Sequence, residues 1–112
     1  MINMGGTTIV VNGKTVEDVL RKIKKAILNC QMTMRPDSDV VLYNPSTKEG
    51  KIFKPVIKYS QKGEGVFAID VIEDVCFEEV ESGNIGMPVA VASIYGKKPK
   101  EGEWQGAVHL HT

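Results

Sequence analysis

One amphipathic helix, predicted over Thr15 to Cys30, most constrains what this chain can fold into. Its apolar residues recur at steps of three and four, which places them on one side of a helix with 3.6 residues per turn. Thr15 stands at the expected N-cap position and Asp18 follows three residues later, a pattern close to a capping box. The apolar side comprises Val16, Val19, Leu20, Ile23, Ala26, Ile27 and Cys30.

The rest of the chain is predicted to form strands joined by polar turns. Asn12-Gly13 is the strongest two-residue turn signal. Pro55 cannot donate to a sheet ladder, which predicts an edge position or a bulge there. The run 66–72 is apolar on both faces except for Asp70, which is typical of a central strand. Strands are expected at 7–11, 39–43, 51–59, 66–72, 87–95 and 104–111, and 73–82 is compatible with a strand or a helical turn.

Alternation along two of these strands predicts which side chains face the core. In 51–59 the inward set is Phe53, Pro55, Ile57 and Tyr59. In 104–111 the inward set is Trp104, Gly106, Val108 and Leu110, and the outward set is Gln105, Ala107, His109 and His111.

These elements predict an α+β fold, with one amphipathic helix packed on a curled antiparallel sheet of about six strands. Residues 1–112 are expected to form a single domain, with residues 1–6 frayed. One helix cannot cover both faces of such a sheet. The other face must be exposed to solvent, rolled into a partial barrel, or covered by a second subunit.

Composition narrows the class of function. The formal net charge is zero, from 14 basic and 14 acidic residues, which disfavours a dedicated nucleic-acid-binding protein. No apolar run approaches the ~18 residues of a membrane helix, and the first residues lack the pattern of a signal peptide. Cys30 and Cys76 are expected to be reduced core cysteines of a cytoplasmic protein.

Charge is nevertheless unevenly distributed along the chain. The segment Lys14 to Lys25 is mainly basic, Asp70 to Glu81 contains six acidic residues and no basic one, and Lys97, Lys98 and Lys100 form a second basic cluster. Solvated surfaces and a polarised surface that steers a charged partner are both compatible with this pattern. The residues predicted to bind a ligand or partner are Arg21, Lys22, Lys24 and Lys25 on the helix, with the aromatic residues Tyr95 and Trp104.

No catalytic motif is present in the sequence. His109 and His111 share one face of the last strand and are the best candidates for a metal site, but a third ligand would have to come from Asp70, Glu78 or Glu79. Exposed histidines that bind nothing explain the same pattern. Cys76 has no local signature of a nucleophile, and no glycine pattern predicts a nucleotide site. We therefore expect no metal and no cofactor.

The sequence thus favours a non-enzymatic binding protein, such as a small inhibitor or sequestering protein that acts on a protein partner or a small anionic ligand. Compact chains of phages and mobile elements commonly work in this way. One alternative is a small enzyme or metal-dependent subunit that uses His109 and His111. A second is a nucleic-acid-binding accessory protein that uses the basic helix face. A homo-oligomer is also expected, with aromatic residues such as Trp104, Tyr95 and Phe77 at its interface.

Overall fold

The computed structural model describes residues 6–30, 34–83 and 98–111. In these residues one helix packs on an antiparallel sheet of six strands with the order β1-β6-β3-β4-β5, and β2 pairs with β6. The predicted α+β class is confirmed. The elements are β1 (Thr7–Gly13), α1 (Val16–Cys30), β2 (Arg35–Pro36), β3 (Val40–Asn44), β4 (Glu49–Lys62), a single 3-10 turn (Gly65–Phe67), β5 (Ile69–Gly83) and β6 (Trp104–His111).

The helix forms as its periodicity predicts. The Asp18 backbone N–H donates to Thr15 Oγ1 at 3.1 Å, which confirms Thr15 as the N-cap. Val19, Ile23 and Ile27 are completely buried in the middle of the apolar side.

The sheet curls around this helix. Helix α1 contacts β1 and β6 on one side and β5 on the other, although β1 and β5 are at opposite ends of the strand order. A flat sheet would not bring both ends to one helix. The core therefore lies on the concave face, and its buried members are Val19, Ile23, Ile27, Val40, Leu42, Phe53, Ile72, Val75, Val108 and Leu110.

The turn predicted at Asn12-Gly13 is wrong. Both residues belong to β1, where they pair with Gln105 and Trp104 of β6. Continued pairing along β6 overrides the local turn preference. Gly13 is needed for another reason, because a Cβ atom at this position would lie 2.9 Å from the Asp18 Cβ atom.

Strands β4 and β5 form a long two-stranded ribbon that extends past the rest of the sheet. The last pair between β3 and β4 joins Val40 to Phe53, so beyond this pair β5 is the only described strand beside β4. Pro55 lies in this outer part, where a missing N–H breaks no ladder bond to β3, and the predicted edge position is confirmed. Two register shifts, between Ile52 and Phe53 and between Lys58 and Tyr59, mark bulges in the ribbon.

The central position predicted for 66–72 is wrong. Val66 and Phe67 lie at the turn of the ribbon with 92% and 82% of their surface exposed, and strand β5 begins only at Ile69. A 15-residue helix spans only about 22 Å, whereas a strand of the same length spans about 50 Å. The helix therefore cannot cover the outer part of the ribbon. The ambiguous segment 73–82 is strand throughout.

Three further expectations about burial are also wrong. Cys76 is exposed on the ribbon and only Cys30 is partly buried, both as free thiols. Tyr59 is 42% exposed because it lies on the outer part of the ribbon, where Arg35 stacks on its ring at 4.8 Å. Gln105 is buried on the outward face, where its amide donates to Asn12 Oδ1 at 2.9 Å. The predicted strand 87–95, Tyr95, Lys97 and residues 1–5 lie outside the described residues.

Candidate functional site

The basic face of α1 is largely engaged within the chain. Arg21 Nη2 lies 2.8 Å from Asp18 Oδ1 in the same helix, and Lys22 Nζ donates to the Asn12 carbonyl at 2.5 Å. Lys24 Nζ lies 3.0 Å from Asp74 Oδ1 on β5. Of the four basic residues predicted to bind a partner, only Lys25 has no such contact to another described residue. This face therefore offers less free positive charge than its sequence indicates.

The contact between Lys24 and Asp74 links the helix to the far strand of the curled sheet. The hydrogen bond from Lys24 lowers the pKa of Asp74, and the Val75 backbone N–H, which donates to Asp74 Oδ1 at 2.9 Å, lowers it further. The same hydrogen bond raises the pKa of Lys24. Both shifts favour the charged forms, as expected for an ion pair. The pair therefore joins α1 to β5 through two charged side chains that both remain partly exposed.

The two histidines share the outward face of β6, as the alternation predicts. Thr8 Oγ1 lies 3.2 Å from His109 Nδ1, and His111 is paired with Arg35 of β2. No group of three or more His, Cys, Asp or Glu side chains that could bind a metal occurs among residues 6–30, 34–83 and 98–111. A hydroxyl beside an imidazole resembles part of a catalytic dyad, but no described cavity is lined by either residue.

Trp104, one of the predicted binding residues, lines an open groove of about 450 Å³. The groove lies between the first turn of α1 and strands β4, β5 and β6. Within its lining, Lys51 Nζ of β4 lies 3.5 Å from Glu79 Oε1 of β5. The lining is apolar at Val16, Leu20, Phe53 and Trp104, charged at Lys14, Glu17, Lys51 and Glu79, and completed by Thr15. We refer to it as the Trp104 groove.

The ribbon tip, residues 63–68, is the second candidate. Its backbone is held by two hydrogen bonds, from the Phe67 N–H to the Glu64 carbonyl at 3.1 Å and from the Ala68 N–H to the Gly65 carbonyl at 3.2 Å. Gly63 has φ +93°, and a Cβ atom there would lie 2.6 Å from the Phe67 carbonyl oxygen. Glycine is therefore required for this tight turn.

Below the tip, three further large apolar side chains are exposed, two on one face of the ribbon and one on the other. Val56, Tyr59 and Ile69 are each exposed over more than two fifths of their surface. These exposed side chains were not predicted from the sequence. The sequence contains one indication of this exposure. Two glycines flank Glu64 and are followed directly by two large apolar residues, a pattern that can place apolar side chains on a tight turn.

The chain was compared with protein-family models, with curated proteins and with solved structures, and none of these comparisons gives a match. Function is therefore inferred from the surfaces of the molecule itself. Within the described part of the chain, no helix combines the length and apolar character needed to cross a membrane.

Proposed function

We propose that the protein is a non-enzymatic binding protein that inserts its ribbon tip into an apolar pocket of a protein partner, in the manner of a small inhibitor or sequestering protein. The observation that supports this proposal is the exposure of Val66 and Phe67, at 92% and 82%. Large exposed apolar side chains that lie together commonly mark interaction sites. Aromatic anchors that fill pockets also dominate the energetics of many interfaces.

The size of the apolar surface fits a partner that contacts more than the tip. Burial of one Val and one Phe side chain contributes about 3–6 kcal/mol before the losses of freedom on association. This is too little for a tight complex. Val56 and Ile69, which share one face of the ribbon, supply further apolar area along it.

A protein fits this surface better than a membrane does. Near the tip, Lys62 is offset by Glu64 and Asp70, so the region has no excess of positive charge. Segments that bind membrane surfaces typically combine apolar residues with several Lys or Arg residues that are attracted to anionic lipids. An apolar pocket on a protein does not require that charge.

The proposal is tested by site-specific photocrosslinking in extract of the source cell. A photoreactive phenylalanine analogue replaces Phe67, and a matched variant carries it at the exposed residue Glu101, far away in sequence. We expect one protein to be crosslinked from position 67 and not from position 101. The purified partner should bind wild type at least about tenfold more tightly than Phe67→Ser, since a buried aromatic anchor is lost.

Two results would contradict the proposal. One is equal affinity of wild type and Phe67→Ser for every crosslinked protein. The other is binding to vesicles, neutral or anionic, that is abolished by Phe67→Ser, since this would assign the tip to a lipid surface.

A second copy of the chain is one protein that the tip can contact, in keeping with the predicted homo-oligomer. A monomer has a mass of 12.3 kDa. Light scattering across a wide concentration range shows whether the partner is a second copy of the chain or a different protein. If Phe67→Ser lowers an oligomer to the monomer mass, the partner is the chain itself. If the protein is a monomer at all concentrations, the partner is a different protein.

A further inference from the structure

We propose that the Trp104 groove binds a small zwitterion with an apolar side chain, of the α-amino acid class. This site is separate from the ribbon tip and does not depend on the function proposed for it. Three observations support the inference: the placement of two charged side chains, the geometry of their ion pair, and the overall lining of the groove.

Lys51 and Glu79 project from the concave face of the sheet, which is otherwise apolar where the helix covers it. Lys51 is paired with the fully buried Leu42, and Glu79 is paired with Phe53, which is only 7% exposed. Residues that are directly paired across strands point to the same side of the sheet. Two charged side chains therefore enter the end of the core, where partial removal from water is unfavourable unless they are paired.

These two side chains pair only loosely with each other. Their N–O distance of 3.5 Å is longer than the 2.7–2.9 Å of a strong charge-assisted hydrogen bond. Both side chains retain some solvent exposure, 25% for Lys51 and 43% for Glu79. The ammonium of Lys51 can thus accept a ligand carboxylate as partner, while Glu79 accepts a ligand ammonium.

The remaining lining favours a ligand of this kind. Val16, Leu20, Phe53 and Trp104 provide apolar contacts, and the volume of about 450 Å³ lies within the usual range of small-molecule sites. Lys14 and Glu17 add one charge of each sign, so the lining contains two positive and two negative side chains. A ligand with one charge would pair only with the two lysines or only with the two glutamates, whereas a zwitterion can pair with both kinds of side chain.

The chain contains a single tryptophan, so Trp104 fluorescence reports directly on the groove. The protein is titrated with L-leucine and L-phenylalanine, and in parallel with 2-phenylethylamine and 3-phenylpropionate, which each carry one charge. We expect a saturable change with at least one of the two amino acids. The two single-charge compounds should bind about tenfold more weakly, because each lacks one charge-assisted contact.

Variants then assign the contacts. Lys51→Met and Glu79→Gln should each weaken amino acid binding about tenfold. Lys58→Met is the matched control, because Lys58 forms an ion pair of the same 3.5 Å length with Glu73 but lies outside the groove. Phe67→Ser should leave amino acid binding unchanged, which separates this site from the ribbon tip. Circular dichroism confirms that each variant is folded.

Several results would overturn the inference. One is the absence of a saturable change in Trp104 fluorescence up to about 10 mM amino acid. Another is that the single-charge compounds bind as tightly as the amino acids. A third is that Lys58→Met weakens amino acid binding as much as Lys51→Met and Glu79→Gln do. A fluorescence change that appears on dilution of the protein alone and is abolished by Phe67→Ser would show that the tip of a second copy occupies the groove instead.

Discussion

Val19 of α1 packs directly on the backbone of Gly106 in β6. A methyl group on Gly106 would overlap the Val19 Cγ1 atom and would also lie 3.1 Å from Ile23 Cδ1 and 3.3 Å from Leu42 Cδ1. The helix therefore lies closer to β6 than any residue with a side chain would permit. This contact fixes the helix in the concave face of the sheet.

The first prediction concerns this contact. Gly106→Ala should lower the free energy of unfolding by about 1–3 kcal/mol, since the added methyl group overfills a packed core. Val19→Ala removes the methyl groups that clash, so the double variant should lose less than the sum of the single variants. Denaturant titrations of all four proteins measure this coupling. Additive losses would contradict the direct contact.

The second prediction tests the buried side of the helix. Ile23→Ala should lower the free energy of unfolding by about 2–5 kcal/mol, because Ile23 is completely buried and its truncation leaves a cavity. Lys25→Ala, on the exposed side, should change it by less than about 0.5 kcal/mol. Losses of equal size in a urea titration would refute the orientation of α1.

Much of the inner fold was predictable because its signals are local. The 3.6-residue period fixed the buried side of α1, and two-residue alternation placed Gly106, Val108 and Leu110 in the core. The ribbon was not predictable in the same way. Segment 66–72 has the composition of a central strand, and its exposure arises from the short reach of the helix, which no local pattern encodes.

In the candidate sites, too, local sequence signals predict some residues, whereas other contacts arise only when the sheet folds. Trp104 was predicted as a binding residue because large aromatic side chains dominate the energetics of interfaces, and this remains a prediction. The engagement of Lys24 could not be foreseen, because its partner Asp74 approaches only when the sheet curls. The Lys51–Glu79 pair was missed because it depends on the register between β4 and β5.

The third prediction separates stability from interaction at the ribbon tip. Replacement of Val66 and Phe67 together by serine should change the free energy of unfolding by less than about 0.5 kcal/mol, because both side chains already lie in water. The same variant should bind less of a dye that recognises exposed apolar surface. Unchanged dye binding, or a large loss of stability, would mean that these side chains are covered in solution.

The last prediction concerns the pH dependence of the ion pair between Lys24 and Asp74. The pKa of Asp74 is lowered by the hydrogen bond from Lys24, so its contribution is fully present above the ordinary value of 3.8 and is lost as the pH falls through the lower folded value. The pKa of Lys24 is raised, so its contribution is fully present below 10.5 and is lost as the pH rises through the higher folded value.

Wild type should therefore be more stable than Asp74→Asn by a constant amount between about pH 5 and 9, and this difference should shrink at both extremes. High salt should also reduce it, because both side chains are accessible to counterions. Asp37→Asn, which alters an exposed carboxylate without a described ion pair, provides the control and should change the free energy of unfolding at pH 7 by less than about 0.5 kcal/mol. Urea titrations across this pH range measure the difference. If Asp74→Asn is as stable as wild type at pH 7 and low salt, the ion pair does not hold the far strand of the sheet against the helix.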